Sequence, residues 1–267
     1  TDPVEGTTIA DAEVKRITRK TNLAHIRWSL EDGGEIIIST TRPELICACG
    51  VVLVHPDDNR YRDMIGRTAR LPIKVKGRSD KVKILSHPSV KMEFGSGVLM
   101  VCSYGDQNDV SVFRELKLEP FQAIDLEGRM TGIADQLEGM LVAEARSAAI
   151  EILSSDGRLE GLEEREQEIP VSERGENPIE IILLKEWYVK QVGIQERLEQ
   201  LTHEIRFIPE RNKQLLLDWM ENISIDWPIS RRRWYHTEIP IWYTDDDKVL
   251  IVPPKGGYVR PWCEDPP

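Results

Sequence analysis

The stretch NLAHIRWSLEDGGEIIISTTRPELICACGVVLVHP, residues 22–56, carries the first decision about the fold. Residues 22–30 and 35–39 are β-prone runs, and the EDGG between them is a hairpin signal because glycine accepts the positive φ of a tight turn. VVLVHP (51–56) reads as another short buried strand. Between these runs the chain leaves an apolar strand through Thr40, Thr41, Arg42, Pro43 and Glu44. Two hydroxyls, a cation, a proline and an acid fit a turn whose Arg42 and Glu44 pair in solvent. They fit equally a strand ending at a pocket wall.

Outward from there, Asp57 or Asp58 can cap a short helix stopped by Gly66. Residues 69–76 and 82–85 read as strands, and GSGVLMVCSY (95–104) as a buried strand. GDQNDVSVFRELKLE then predicts a helix with Asp106 and Asp109 in its opening turn, where acids cap and complement the dipole or line a site. FQAID reads as a strand, and 140–157 as a helix with an Asp-Gly stop. The acidic segment 159–170 is a solvated strand or a linker, after which 178–205 and 209–223 read as helix-rich, anchored by Trp187, Tyr188 and Trp219. Many short strands with a few helices predict an α+β fold rather than a regular βαβ array.

The chain has 267 residues, 40% hydrophobic, enough for one large or two smaller cores. No apolar run reaches the roughly 18–20 residues that span a bilayer. The first residues hold no signal-peptide core, and the absence of an initial Met points to a fragment or processed chain. Four cysteines without a CxxC pair fit reduced thiols in a cytoplasm, with Cys47 and Cys49 as core filler. A net charge of −11 argues against a broad nucleic-acid-coating surface. Local basic clusters at 74–83 and Arg231-Arg232-Arg233 remain possible grooves or plain solvated surface. There is no Walker A, no GxGxxG, and no Ser–His–Asp or Cys–His spacing.

TTRPE followed by HPDDNRY, and FGSGVLMVCSYGDQNDV with its Asp-x-x-Asp helix start, resemble the editing domain of valyl-tRNA synthetases. EGRMTG, the EAR of 144–146, KEWYVK and DWPISRRRWYHTEIPIWY follow in that family's order, so the resemblance covers essentially the whole chain. TTRPEL with SYGD resembles the archaeal-type branch. Neither ATP-handling signature of class I synthetases, HxGH or KMSKS, is present. The resemblance implies a compact, β-rich, barrel-like editing domain over 1–170 with peripheral helices. Over 171–267 it implies a helix-rich connector returning to the catalytic core.

It also implies hydrolysis of threonyl-tRNA(Val), since a hydrophobic synthetic pocket cannot strongly reject an isostere that only adds a hydroxyl, a limit well documented for this very family. On this reading Asp109 holds the substrate α-ammonium and Asp106 accepts from the threonine hydroxyl. Thr40 and Arg42, with Thr41 beside them, line the pocket. Leu45, Met100 and Gly105 stand where bacterial members carry Thr, Lys and His. Relatives bind structural zinc through two CxxC pairs, but here the matching positions are Ser172, Gly175, Thr244 and Asp247, so no metal and no other cofactor is expected. The implied partners are the threonine-bearing 3′ end of tRNA(Val) and the rest of the synthetase polypeptide, in a cytoplasmic monomer. Other readings are a non-catalytic RNA-binding module of the same fold, the editing domain of an isoleucyl or leucyl relative, or a free-standing editing protein.

Overall fold

The computed structural model describes residues 1–10, 13–223, 226–232, 237–246, 248–251 and 260. It divides into two compact units, Thr1–Leu184 and Lys185–Pro267.

In the first unit, β1 (Val14–Ser29) pairs antiparallel with β2 (Glu35–Thr40) from Ser29↔Glu35 to Ala24↔Thr40. Gly33 and Gly34 take φ of 95° and 90° in the turn between them, the hairpin that EDGG predicts. A 3₁₀ helix over Pro43–Ala48 leads into β3 (Cys49–Val54). Then come β4 (Thr68–Arg70), β5 (Lys81–Ser86) and β6 (Val98–Cys102). Helix α1 (Gln107–Glu115) follows β6 directly, and α2 (Val142–Ser155) precedes β7 (Leu159–Ser172). One sheet has the order β2-β1-β7 and the other β4-β5-β3-β6, with β3 and β5 parallel. A single bridge, Leu30↔Ala69, joins strand ends of the two. The fold is thus α+β. The barrel-like expectation is corrected: the described sheets are open and none closes on itself.

Strand β3 explains its own sequence. Val52 and Val54 face the main core with Trp28, Ile36, Ile38 and Leu153, while Val51 and Leu53 face a second cluster with Val101, Val112 and Phe113. Burial on both faces requires an unbroken apolar run. Gly50 has no side chain because the Phe113 ring of α1 fills that space, 2.4 Å from where a Cβ would sit.

Several local expectations change. Residues 159–170 take the strand rather than the linker reading, paired with β1 from Val14↔Ser172 to Ile26↔Leu159, whereas β1 begins at Val14, not near residue 22. FQAID forms only the bridge Ile124↔Met130, and beyond Arg70 the 69–76 run is not a strand. No helix is capped by Asp57 or Asp58. Asp58 instead binds Arg60, ahead of a three-residue 3₁₀ turn at Arg62–Met64. The segment after Pro170 belongs to the first unit, with Glu180 buried and Ile182 packed on the main core.

The second unit holds β8 (Tyr188–Val189) paired with β9 (Trp227–Pro228), helices α3 (Gln195–Thr202) and α4 (Asn212–Glu221), and β10 (Ile241–Tyr243) paired with β11 (Val249–Ile251). Residues 178–194 contain no helix. Tyr188 and Trp219 are exposed, and only Trp187 of the three expected anchors is drawn in, donating through Nε1 to Tyr243 Oη at 2.8 Å. No described helix is long and apolar enough to cross a membrane.

Candidate functional site

The two motifs read from the sequence meet. The Thr40 Oγ1 accepts from the Arg42 backbone N–H at 3.0 Å, turning the chain sharply at the end of β2. Pro43 then starts the 3₁₀ helix, where its missing N–H costs nothing. Arg42 now points inward. Its Nε donates to Glu44 Oε1 at 3.0 Å, its Nη2 to Glu180 Oε2 at 2.7 Å and its Nη1 to the Gly105 carbonyl at 3.2 Å.

Glu44 is fully buried and also accepts from Arg146 of α2, Nε at 3.1 Å and Nη2 at 2.8 Å. Burial alone would raise the Glu44 pKa, but Arg42 and Arg146 outweigh it and hold the carboxyl below its ordinary value. Arg42 is likewise raised: burial opposes its charge, and Glu180 and Glu44 overcome that. Of the two readings of TTRPE, the Arg42–Glu44 pair in solvent gives way to a four-member cluster of two buried carboxylates and two partly buried guanidiniums, which through Gly105 fixes the loop that opens α1.

Asp106 caps α1, its Oδ1 accepting from the Asp109 N–H at 2.8 Å. The Asp109 carboxylate folds back over the strand end, with Oδ2 accepting from the Cys102 N–H at 3.2 Å. It occupies space that Gly105 leaves open, since a Cβ at 105 would lie 2.2 Å from Oδ2. Burial, reinforced by the nearby Asp106 charge, pushes the Asp109 carboxyl up to about 8. The Cys102 N–H and Arg42 oppose this without reversing it. Such a group gains most from a cation brought beside it.

A small cavity adjoins the same loop, lined by Leu45, Ser103, Tyr104, Gln122, Ala123, Ile124, Ile181 and Ile182. Leu45 is thus a wall residue, 2% exposed. Met100 is not among the lining residues. It lies opposite Val52 in β6 and is packed in the main core. Thr41 is half-buried in the turn. Glu180, Arg146 and Tyr104 escaped attention as site residues. The first two are 138 and 102 residues from their partners, a separation that no local pattern reports.

Cys47, Cys49 and Cys102 are buried free thiols that donate to backbone carbonyls, and burial pushes Cys47 up to about 12. Cys263 lies outside the described residues. The 74–83 cations are largely occupied: Lys76 pairs with Asp135 and Glu138, and Lys81 with Glu31. Arg78 caps the carbonyls of Cys47 and Cys49 and lies over the Phe121 ring. Arg232 pairs with Glu186, and Arg233 is outside the described residues. Of the four positions matching zinc ligands, Ser172 donates to Asp2 and Thr244 to Asp246, while Asp247 is outside the described residues. Among the described residues no three His, Cys, Asp or Glu side chains gather as a metal site.

A strand-end carboxylate beside a braced turn, in an α+β unit, is the setting in which the comparisons with known proteins fall. Residues 2–258 match the family of class I tRNA synthetases (I, L, M and V), and the chain belongs to that family. It is similar to the valine–tRNA ligase of Nanoarchaeum equitans, 44% identical over 260 residues, covering 97% of this chain and 34% of that protein. The valine–tRNA ligases of Aeropyrum pernix and Methanopyrus kandleri are each 39% identical, over 98% of this chain and 31% and 29% of their own lengths. The chain thus spans about a third of the length of these relatives.

Proposed function

We propose that this chain is the editing region of a valine–tRNA ligase and hydrolyses the ester of threonyl-tRNA(Val). The observation that carries the proposal is the recessed Asp109 carboxylate, held at the Cys102 N–H with its pKa pushed up to about 8. An aminoacyl ester presents an α-ammonium, and a half-buried carboxyl seeking a cation suits it. Binding there orients the ester carbonyl toward water, and oriented dipoles around the developing oxyanion stabilise the transition state. Asp106, at the exposed rim of the same turn, is available to a substrate hydroxyl. Arg42 acts one step back, positioning the loop through the Gly105 carbonyl while Thr40 and Thr41 shape the turn. The similarity to valine–tRNA ligases favours tRNA(Val) over an isoleucyl or leucyl substrate.

On this reading the partners are the 3′ end of tRNA(Val) and the remainder of a longer synthetase. Residues 171–267 lead back to its catalytic domain, and the setting is a cytoplasmic monomer. A non-catalytic RNA-binding module is the second reading, favoured by the apolar burial of Leu45 and Met100. One assay separates the two. Purified chain should release threonine from threonyl-tRNA(Val) faster than buffer, and Asp109→Ala should remove the excess. Equal rates with and without protein would overturn the proposal.

A further inference from the structure

Glu180 is an acid in an apolar stretch. It stands between Ile179 and Ile181, and its side chain is 6% exposed. A buried carboxylate is costly unless it is paired. Among the described residues its ion-pair partner is Arg42, whose Nη2 donates to Oε2 at 2.7 Å. The backbone around Glu180 is itself fixed. The Ile179 N–H donates to the Pro170 carbonyl at 3.2 Å and the Glu180 N–H to the Thr1 carbonyl at 2.9 Å, while Ile182 packs on the main core.

A guanidinium is a rigid planar fork, so two anchored nitrogens determine where the third one points. In Arg42 the anchors are Nε on Glu44 and Nη2 on Glu180, and the third, Nη1, meets the Gly105 carbonyl at 3.2 Å. Glu44 alone is a weak anchor, because Arg146 also donates to both of its oxygens. Held through Nε only, the fork can swing about that contact, and Glu180 stops the swing. Gly105 is in turn the residue whose missing side chain admits the Asp109 carboxylate. The charged side chains that move the Asp109 pKa are Asp106, which raises it, and Arg42, which lowers it. Glu180 reaches Asp109 through the placement of Arg42.

Building on the proposed editing activity, we infer that Glu180 is a positioning residue for the hydrolysis, holding the Arg42 guanidinium on the Gly105 carbonyl and so fixing the turn from which Asp109 meets the substrate ammonium. The site formed by the ends of β2 and β6 and the start of α1 is then completed by the segment that follows β7. A buried ion pair that served stability alone would shift Tm and leave the chemistry of Asp109 untouched.

The test measures kcat/KM for threonyl-tRNA(Val) from pH 6 to 9, less the buffer rate, in the wild-type chain, E180Q, E180D, R42Q and the R42Q/E180Q double variant. All are assayed well below their Tm. E180Q keeps the shape and drops the charge. It should lower kcat/KM about tenfold, the worth of roughly one charge-assisted hydrogen bond. Its pH–rate climb should also move above the wild-type position, because a displaced Arg42 no longer opposes the raised Asp109 pKa. E180D, one methylene shorter, should show both changes in smaller measure, and it decides the matter if E180Q does not fold. In the R42Q background, E180Q should cost nothing further. A lowered Tm with wild-type kcat/KM and pH profile in the folded Glu180 variants would overturn the role of Glu180 and leave the editing reading intact. A loss that persists undiminished in the R42Q background would also overturn it. A wild-type chain no faster than buffer would sink the editing reading, and this role with it.

Discussion

Asp109 and Gly105 compete for one small volume, and the absence of a side chain at 105 decides who holds it. Gly105→Ala should evict the carboxylate from the Cys102 N–H, lowering kcat/KM for threonyl ester about 10- to 100-fold, the usual cost of an ångström of misplacement. The same change should let the Asp109 pKa fall toward the ordinary carboxylate range, visible as a pH–rate profile that no longer climbs toward 8. In the unmodified chain that climb is expected, because the free site becomes anionic only near the Asp109 pKa of about 8. The stability consequence has the opposite sign. A folded-state pKa raised above the unfolded value means the folded chain holds the extra proton between about pH 4 and pH 8. Stability should therefore fall as pH rises through that window and level off above it. Thermal unfolding from pH 5 to 9 should show the decline in the wild type and a flatter course in Asp109→Asn. The carboxylates themselves were legible in the sequence. Their environment was not, because Asp106 and Asp109 read alike as acids in a first helical turn, and only the fold buries one and exposes the other.

The 3₁₀ helix over Pro43–Ala48 gathers partners from far along the chain onto a single carboxylate. Glu44→Ala would leave Arg42 and Arg146 without their shared buried anion, and removing one member of a buried pair typically costs about 3–5 kcal/mol. Urea unfolding should show that loss, whereas Glu44→Gln, which keeps the shape and one acceptor, should lose less. Strand content was readable where alternation or an apolar run met a core, as in β2, β3 and β6. It was not readable for residues 14–21, which are rich in lysine, arginine and threonine and are solvated on both faces of a two-stranded ladder. FQAID failed the other way: its apolar residues, such as Ala123 and Ile124, are buried as a loop that closes the cavity, and burial alone does not make a strand.

At the scale of the molecule, the first unit does not end where the acidic strand does. A chain ending at Leu184 should keep a cooperative unfolding transition. One ending at Pro170 should lose several °C of Tm, because it gives up Glu180 and the packing of Ile182. Calorimetry on the two truncations would measure the difference, and equal Tm values would show the 171–184 stretch to be dispensable. The pairing of β1 with β7 has a wider meaning. Val14 lies directly across from Ser172, so the first and last strands of this unit are neighbours, separated by about 5 Å. A host protein that received such a unit within one of its loops would have its two flanking residues held almost as close as before. The entropy of closing so long an excursion is then met inside the guest by its own ladder, leaving the host's folding nearly indifferent to the insertion.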